Sequence, residues 1–276
     1  MKYITKKEVK LPKRDKDSHK GENGYVLVIG GSRDYVGAPF LAAKAIGALR
    51  SGSDLVAVAA PEKVAWAINC LSPDLVTYKL KGEDLGLNNY NEIIKLIDKF
   101  DVILIGNGIG LKASTKKLVD KLIKYINKSG KSLVIDADGL KIINLNKINN
   151  AVLTPHRREL DVLLKNSKIK NSNKSIQESI NDNVILIKSK VDTIISRNKV
   201  IYNKTGNEGM TVGGTGDVLA GLVAGFVSQG MSLFDAACSA AYFNGIAGNK
   251  LKKKYGYSFI ASDLLDEIRD MFGNNN

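Results

Sequence analysis

Short apolar runs alternate with longer segments of helical periodicity along most of the chain, and this alternation is the strongest constraint on the fold. The first run, Tyr25–Ile29, is apolar throughout and ends at Gly30, which is typical of a strand buried on both faces of a parallel sheet. Strands alternating with helices predict an α/β fold with a mostly parallel sheet covered on both faces. Further runs with this pattern are 55–60, 101–105, 132–135, 151–153 and 184–187.

Helical spacing of apolar residues predicts the elements between these strands. Residues 193–196 and 200–202 predict a hairpin at a sheet edge, because they flank a short polar turn. The segment 166–182 is rich in Asn, Ser and Lys and is predicted to be mobile or partly helical. The predicted helices are 40–50, 62–71, 91–99, 114–127, 158–164, 262–271 and one from Ser232, with Asp235 as its capping-box partner, to about 250.

Composition limits the function classes. The net charge is +13, but the lysines are scattered and aromatic residues make up only 7%, so we interpret the charge as a solvated surface rather than a nucleic-acid interface. We predict that Cys70 and Cys238 are reduced core residues, with no protein-bound metal. No run of 18 apolar residues and no signal-peptide core occurs, which predicts a cytoplasmic protein. We expect a basic arm over residues 1–24 and one catalytic domain over 25–276.

The loops that follow the predicted strands are the expected ligand site. In open parallel sheets, ligands bind outside the carboxyl ends of the strands. Each of these loops is richer in Gly, polar or titratable residues than the strand before it, so together they predict one composite cleft. The loops are 30–38, 106–110, 136–139, 154–156, 188–192 and 213–217.

The loop Gly213-Gly214-Thr215-Gly216 predicts an anion site. Its glycines allow the backbone to turn, and the apolar run after Asp217 predicts a buried helix that begins at the loop. A carboxylate beside a phosphate site suggests phosphoryl transfer with Asp217 as the base. Two interpretations remain open from this motif alone, because an Asp at a helix start is often only an N-cap. Neither a dinucleotide fingerprint nor a P-loop is present.

The stretch 203–230 contains Thr-Gly-Asn-x-Gly-Met followed by Gly-Gly-Thr-Gly-Asp-Val-Leu-Ala-Gly. It closely resembles the ADP-dependent NAD(P)H-hydrate dehydratases, a branch of the ribokinase-like fold. The resemblance extends in the family's order over nearly the whole chain. Its other blocks are His19-Lys20-Gly21, Gly30-Gly31-Ser32 with Gly37-Ala38, Gly106-x-Gly108-x-Gly110, Asp136-Ala137-Asp138 and Thr154-Pro155-His156.

The resemblance implies a three-layer α/β/α domain that restores hydrated NADH or NADPH while converting ADP to AMP and phosphate. Asp217 would take the proton of the ring hydroxyl as that hydroxyl attacks the β-phosphate of ADP, and phosphate elimination would follow. The implied substrate-binding residues are Ala38, Gly108, His156 and Asp217. The implied nucleotide-binding residues are Lys188, Ser189, Lys190, Val191 and Asp192, with Gly213, Gly214, Thr215 and Gly216 at the phosphate. Mg²⁺ is expected to neutralise the phosphates of ADP.

The chain departs from the family pattern after the strand 184–187, where Lys188-Ser189-Lys190-Val191-Asp192-Thr193 replaces the usual Lys-Gly-x-x-Thr. This puts a hydroxyl contact to the nucleotide in doubt. His156 has two interpretations, a substrate contact, which we favour, and a hydrogen bond to a backbone carbonyl. Asp136 and Asp138 are interpreted as turn residues, the alternative being that they help to place a cation.

The family resemblance further implies a homotetramer. An N-terminal epimerase domain, fused in many bacterial relatives, is not expected in 24 polar residues, so the epimerase is expected to be a separate protein. The nearest rival function is an ATP-dependent kinase of a small alcohol on the same fold. A rival of another class is a non-catalytic nucleotide-binding or nucleic-acid-binding protein, suggested by the charge of +13. The expected partners are the substrate, an adenine nucleotide and the separate epimerase, whereas neither nucleic acid nor a membrane is expected as a partner.

Overall fold

A computed structural model describes residues 1–12, 15–48 and 53–273. Within these ranges nine strands form one sheet, in the order β3-β2-β1-β4-β5-β6-β7-β8-β9. Strands β1 to β7 are parallel, and the last two are antiparallel. The strands are β1 (Tyr25–Ile29), β2 (Leu55–Pro61), β3 (Val76–Leu80), β4 (Val102–Ile105), β5 (Ser132–Ile135), β6 (Ala151–Leu153), β7 (Val184–Ile187), β8 (Asp192–Ser196) and β9 (Lys199–Asn203).

Helices follow most of the strands, as the alternation predicts. Short 3₁₀ turns also occur at Leu87–Asn89, Leu145–Lys147 and Glu208–Thr211. The helices are α1 (Gly37–Ala48), α2 (Glu62–Leu71), α3 (Tyr90–Ile97), α4 (Ala113–Ser129), α5 (Asp138–Ile142), α6 (Arg157–Ser167), α7 (Asn173–Ser179), α8 (Thr215–Ser228), α9 (Leu233–Tyr255) and α10 (Ala261–Gly273).

Two hydrophobic cores lie on opposite faces of the sheet. Alternate residues of a strand point to opposite faces, so Val26 and Val28 of β1 pack in one core while Leu27 and Ile29 pack in the other. The first core includes residues of α1, α2, α8, α9 and α10, and the second includes residues of α3 to α7. The mostly parallel, three-layer α/β arrangement is therefore confirmed.

Helix α8 is buried along most of its length and packs closely on α1. A Cβ at Gly221 of α8 would collide with the carbonyl oxygen of Ala42 and lie 2.8 Å from the Cβ of Ala45. Only a residue without a side chain permits this approach. The contact fixes α8 against the sheet and thereby fixes the position of its N-terminus at the carboxyl edge.

Several local predictions require correction. The strand β3 and the helix α5 were not predicted, because Val76–Leu80 mixes exposed and polar positions with apolar ones and α5 has only five residues. Cys70 is exposed, so its interpretation as a core residue is wrong, whereas Cys238 is buried and both thiols are free. The hairpin is confirmed as β8 and β9, and the segment 166–182 contains α7.

The N-terminal residues contact the edge of the sheet. Tyr3 forms an isolated bridge with Tyr202 of β9, and Ile4, which is 6% exposed, belongs to a hydrophobic core. The N-terminal segment thus contributes at least one residue, Ile4, to a core, while the arm and the domain boundary stay predictions. The predicted end of α1 at residue 50 lies outside the described residues. No helix within the described ranges is long and apolar enough to cross a membrane.

Candidate active site

The first turn of α8 faces the carboxyl edge of the sheet. The N-cap, Gly214, has φ of +95°, and the first intrahelical hydrogen bond runs from Val218 N–H to the Gly214 carbonyl. The N–H groups of the residues between them precede the hydrogen-bonded part of the helix, which is the arrangement that binds anions. Thr215 Oγ1 donates to the carbonyls of Met210, at 2.8 Å, and Val212, at 3.1 Å. The threonine hydroxyl therefore holds the loop and leaves the N–H groups for a ligand.

Asp217 of α8 is joined to two other strand ends through Asn107. Asn107 follows β4 and is fully buried. Its Nδ2 donates to Asp217 Oδ1 at 2.7 Å and to Asp136 Oδ2 at 3.0 Å. Asp217 is thus not a side-chain cap of its own helix, and the N-cap interpretation of this residue is wrong.

Asp136 lies at the end of β5 in a buried polar network. Its Oδ1 accepts hydrogen bonds from Lys188 Nζ, at 2.8 Å, and from Thr154 Oγ1, at 2.7 Å. These partners follow β7 and β6, so consecutive strand ends supply one cluster of charges. Asp136 does open a turn, since its carbonyl oxygen accepts the Gly139 N–H at 3.1 Å, but its carboxylate is 2% exposed and forms an ion pair that the turn interpretation does not include. Asp138, by contrast, accepts from the Gly110 N–H at 3.1 Å and ties two loops together.

The electrostatics of this cluster set the protonation of its members. Burial and the nearby Asp136 raise the pKa of Asp217 to about 7, although Asn107 and Lys188 act in the opposite direction. For Lys188, burial opposes the charge, but Asp136 and Glu159 outweigh burial and raise its pKa. Lys188 is therefore a permanent cation, and Asp217 is a carboxyl group that exchanges a proton near neutral pH.

His156 begins α6 and serves as its N-cap. Its Nδ1 accepts hydrogen bonds from the N–H groups of Arg158 and Glu159, while the His156 N–H donates to Glu159 Oε2 at 2.9 Å. The alternative interpretation of His156 was a hydrogen bond from its ring to a backbone carbonyl. In the structure the ring instead accepts hydrogen bonds from backbone N–H groups and caps the helix. The ring is 49% exposed and its Nε2 lies 3.3 Å from Glu159 Oε1. Burial raises the pKa of Glu159, against the opposing effect of Lys188. A substrate contact of His156 stays a prediction.

The remaining predicted substrate residues lie together beside this cluster. A Cβ at Gly108 would lie 3.3 Å from the Cβ of Ala38 and 2.7 Å from that of Tyr35. The loops after β1 and β4 are therefore in direct contact at these positions. Tyr35 is exposed at the same place, and its position on the rim was not predicted from the sequence.

The predicted nucleotide residues lie at two adjacent places. A Cβ at Gly216 would lie 3.2 Å from Lys188 Nζ, so the end of β7 meets the first turn of α8. The loop between β7 and β8 is closed by Asp192, whose Oδ1 accepts from the Ser189 N–H at 3.0 Å and whose Oδ2 accepts from Asn203 Nδ2 at 3.0 Å. Burial raises the pKa of Asp192. Ser189 and Lys190 are exposed and Val191 is half-buried.

Four residues of the cluster were missed as site residues by sequence reasoning. Three of them belong to loops that the sequence marks as strand ends and Glu159 lies in the first turn of α6, but the sequence does not indicate which side chains turn inward. One signal in the sequence could have indicated such residues: a polar residue directly follows the end of a buried strand, and this recurs at several neighbouring strands. The four are Asn107, Asp136, Thr154 and Glu159.

Comparisons with known proteins show what the whole chain is similar to. A family model described as NAD(P)H-hydrate dehydratase matches residues 26–270. The chain is 43% identical over 270 residues to the bifunctional NAD(P)H-hydrate repair enzyme of Methanothermobacter thermautotrophicus, covering 94% of this chain and 52% of that protein. It is 36% identical over 268 residues to the ADP-dependent (S)-NAD(P)H-hydrate dehydratase of Nitrosopumilus maritimus, covering 94% and 91%. The chain spans about half the length of the bifunctional relatives.

Solved structures share the fold. A ribokinase-like superfamily protein of Enterococcus faecalis matches with a TM-score of 0.84 at 25% identity, covering 99% of this chain and 95% of that one. The ADP/ATP-dependent NAD(P)H-hydrate dehydratase of Bacillus subtilis, co-crystallised with ATP/Mg²⁺, matches with a TM-score of 0.80 at 24% identity, covering 98% of each chain. These matches confirm the ribokinase-like fold class, and the family model and the curated relatives together show that this chain belongs to the NAD(P)H-hydrate dehydratase family.

Proposed function

We propose that the protein is an ADP-dependent NAD(P)H-hydrate dehydratase, which restores NADH or NADPH from the (6S)-hydrate and yields AMP and phosphate. The observation that carries the proposal is the position of Asp217, a carboxyl group with its pKa raised to about 7 beside the anion-binding turn of α8. A base with such a pKa takes up and releases protons efficiently at neutral pH. The identity of the substrate is supported by the Nitrosopumilus relative.

The reaction begins with transfer of a phosphoryl group. Asp217 accepts the proton of the hydroxyl on carbon 6, and the hydroxyl oxygen forms a bond to the β-phosphorus of ADP while the bond to the bridging oxygen breaks and AMP leaves. The N–H groups of the 213–216 loop stabilise charge on the phosphoryl group in flight. The ring nitrogen lone pair then expels phosphate from carbon 6, and loss of the carbon 5 proton restores the double bond. Hydroxide never has to leave directly.

Lys188 supplies positive charge at the nucleotide side of the site. Its ammonium group lies beside Gly216 and is held by Asp136, so it is oriented before any ligand binds. The loop 188–192 is proposed to contact AMP through its backbone, because its Asp192 carboxylate is already occupied by Ser189 and Asn203. Ala38, Gly108 and His156 are proposed to bind the hydrated ring. Gly108 follows Asn107, which contacts Asp217, a Cβ at Gly108 would lie 3.3 Å from the Cβ of Ala38, and His156 forms a bridge with Lys188.

Mg²⁺ fits this site if the phosphate oxygens of the nucleotide are its main ligands, rather than protein side chains. In the described ranges no group of three or more His, Cys, Asp or Glu side chains is placed to hold a metal, and both oxygens of Asp136 already accept hydrogen bonds. Mg²⁺ is often held mainly by substrate phosphates and water. When bound there, it would neutralise phosphate charge.

The test uses hydrated NADH and hydrated NADPH with ADP, with ATP, and without nucleotide. We expect absorbance of the reduced nicotinamide to return with ADP, with one AMP and one phosphate formed for each hydrate consumed. Formation of a stable phosphorylated alcohol with ATP, and no return of absorbance with either nucleotide, would support the small-molecule kinase instead. Binding of nucleotide without any turnover would support the non-catalytic alternative.

Further parts of the proposal concern the cellular setting. An epimerase that supplies the reactive hydrate epimer is the expected functional partner, since several archaeal relatives are named bifunctional. A homotetramer in the cytoplasm is also proposed. Light scattering coupled to size-exclusion chromatography tests the tetramer, and a monomeric mass would contradict it.

A further inference from the structure

We infer that Asn107 is a positioning residue for Asp217: its side-chain amide holds the base in one orientation and joins it to the buried Asp136–Lys188 ion pair. The inference rests on the proposed role of Asp217 as the base. It adds a residue that neither the sequence motifs nor the predicted binding residues include.

The contacts of the amide carry the inference. An amide nitrogen has two hydrogens, and Asn107 Nδ2 donates to two carboxylates, at 2.7 Å to Asp217 Oδ1 and at 3.0 Å to Asp136 Oδ2. Within the part of the chain that the structure describes, no other donor lies at hydrogen-bond distance from the Asp217 carboxylate. Oδ1 is therefore held, and Oδ2 remains for the substrate hydroxyl.

The same contacts fix the orientation of the amide. Asn107 is fully buried, and its Oδ1 has no partner among the described residues. Turning the amide over would place Oδ1 against two carboxylate oxygens, which is repulsive, so only one orientation fits the network. An unpaired buried acceptor such as Oδ1 lowers the stability of the fold. The two hydrogen bonds from Nδ2 to carboxylates offset this loss.

The backbone beneath Asn107 is also fixed. Its carbonyl oxygen accepts the Gly31 N–H at 2.9 Å, which joins the loop to the end of β1. The preceding Gly106 has φ of +122°, and a Cβ there would collide with the carbonyl oxygen of Asp136. A positioning group is effective only on such an anchored segment.

The charges around Asp217 explain what the amide does. The charged groups that face it are Asp136 after β5, Lys188 after β7 and Glu159 in α6. The two carboxylates oppose ionisation of Asp217, while Lys188 and the Asn107 amide favour it. The amide is a neutral donor, so it favours the ionised form of Asp217 without adding charge that would attract the phosphate away from the 213–216 loop.

The experiment compares Asn107→Leu, which keeps the approximate volume but removes the donor, with Thr154→Val. The threonine is an equally buried donor to Asp136 that does not contact Asp217. Carbon-13 NMR titration of the Asp217 carboxyl signal, assigned by its loss in Asp217→Asn, gives the pKa directly. We expect an increase of about one pKa unit in Asn107→Leu and a clearly smaller change in Thr154→Val.

Kinetics give a second readout. The acidic limb of the kcat profile should move to higher pH by the same amount in Asn107→Leu, so that kcat falls about tenfold at pH values below the wild-type pKa, while KM for ADP changes less than about twofold. An unchanged pKa of Asp217 in Asn107→Leu, or an equal shift in Thr154→Val, overturns the inference.

Failure of the proposed function is distinguishable from failure of this inference. If the wild-type protein does not restore hydrated NADH, the function is wrong, but the NMR titration still decides whether Asn107 acts on Asp217. If Asn107→Leu does not fold, as judged by circular dichroism, Asn107→Ala is titrated instead. This variant also lacks the donor, so the pKa of Asp217 must rise. An unchanged pKa of Asp217 overturns the inference.

Discussion

Glu208, in the turn before α8, and Asp217, in the first turn of α8, are carboxylates whose surroundings shift their pKa in opposite directions. Glu208 is exposed, and hydrogen bonds from its own backbone N–H, from Tyr257 Oη at 2.7 Å and from Lys252 Nζ at 3.0 Å lower its pKa to about 2. Asp217 is largely buried beside another carboxylate, which raises its pKa to about 7. Hydrogen bonding thus keeps Glu208 ionised at neutral pH, while burial allows Asp217 to gain or lose a proton there.

The difference separates a surface contact, Glu208, from the proposed catalytic base, Asp217. A carboxylate with a pKa of about 2 takes up no proton at neutral pH, so Glu208 is suited to hold the turn 208–211 near Tyr257. A carboxyl group with a pKa near 7 is a good base. Both residues lie in the stretch that carries the family motifs, and only their surroundings assign different roles to them.

The largest expected effect is that of Asp217→Asn on turnover. Removing the base should lower kcat about a thousandfold, since general base catalysis typically contributes 10²- to 10⁴-fold. Calorimetric binding of ADP should change little, because the proposed nucleotide contacts are the N–H groups of the 213–216 loop and Lys188. Glu208→Gln is the matched control and should keep kcat within about twofold. Equal losses in both variants would remove the distinction between the two carboxylates.

Asp217→Asn should also change how stability depends on pH. A raised pKa in the folded state means that stability is complete below about 4, the ordinary range of an aspartate, and is lost as pH rises through about 7. Asn does not titrate, so the variant should exceed the wild type in stability at pH 8 by up to about 4 kcal/mol and show little difference at pH 4. Thermal unfolding at both pH values measures this, and an equal difference at the two pH values would contradict it.

Two adjacent glycines test whether the loop beside Asp217 is shaped for a ligand. Gly214→Ala should lower stability by about 1–3 kcal/mol, because φ is +95° and a Cβ would lie 2.6 Å from Leu41 Cδ1. Gly213 has open space around its Cβ position, so Gly213→Ala should change stability by less than about 0.5 kcal/mol. We nevertheless expect a clear rise in KM for ADP from Gly213→Ala. Unchanged kinetics in that variant would argue against phosphate contact at this glycine.

The smallest effect is expected from Glu208→Gln on stability. A lowered pKa stabilises the folded state above about 4.5 and loses this contribution as pH falls through about 2. Because Glu208 is exposed, solvent screens its pairing with Lys252, and the melting temperature should fall only slightly at neutral pH. Melting curves at pH 7 and pH 3 measure the difference. A large decrease at pH 7 would show that the turn 208–211 is more important for folding than its exposure suggests.

The sequence predicted the fold well because burial on both faces makes parallel strands continuous apolar runs. Tyr25–Ile29, Glu62–Leu71 and Ala151–Leu153 agree with the structure residue for residue. Val76–Leu80 was missed because it lies at the sheet edge, where one side of the strand has no partner strand among the described residues and polar residues interrupt the pattern. Cys70 was misplaced for a related reason, since an apolar neighbourhood in sequence does not determine which face of a helix is buried.

The candidate site was predicted only in part. The motif around Asp217 indicates an anion-binding turn because glycine and helix-start chemistry is local. The partners of Asp217 come from four other segments, and their side-chain directions depend on how those segments are anchored. Asp136 shows this most clearly, because its sequence, Asp-Ala-Asp-Gly, is typical of a turn while its carboxylate is buried against Lys188. Local pattern reasoning cannot specify such long-range pairs.

The pH dependence of turnover tests the central claim most directly. With hydrated NADH and ADP at saturation, kcat of the wild type should rise about tenfold for each pH unit below neutrality and level off above an apparent pKa of about 7, as Asp217 loses its proton. A rate that is constant between about pH 5 and pH 8, with the chemical step shown to limit turnover, would contradict the assignment of Asp217 as a buried base.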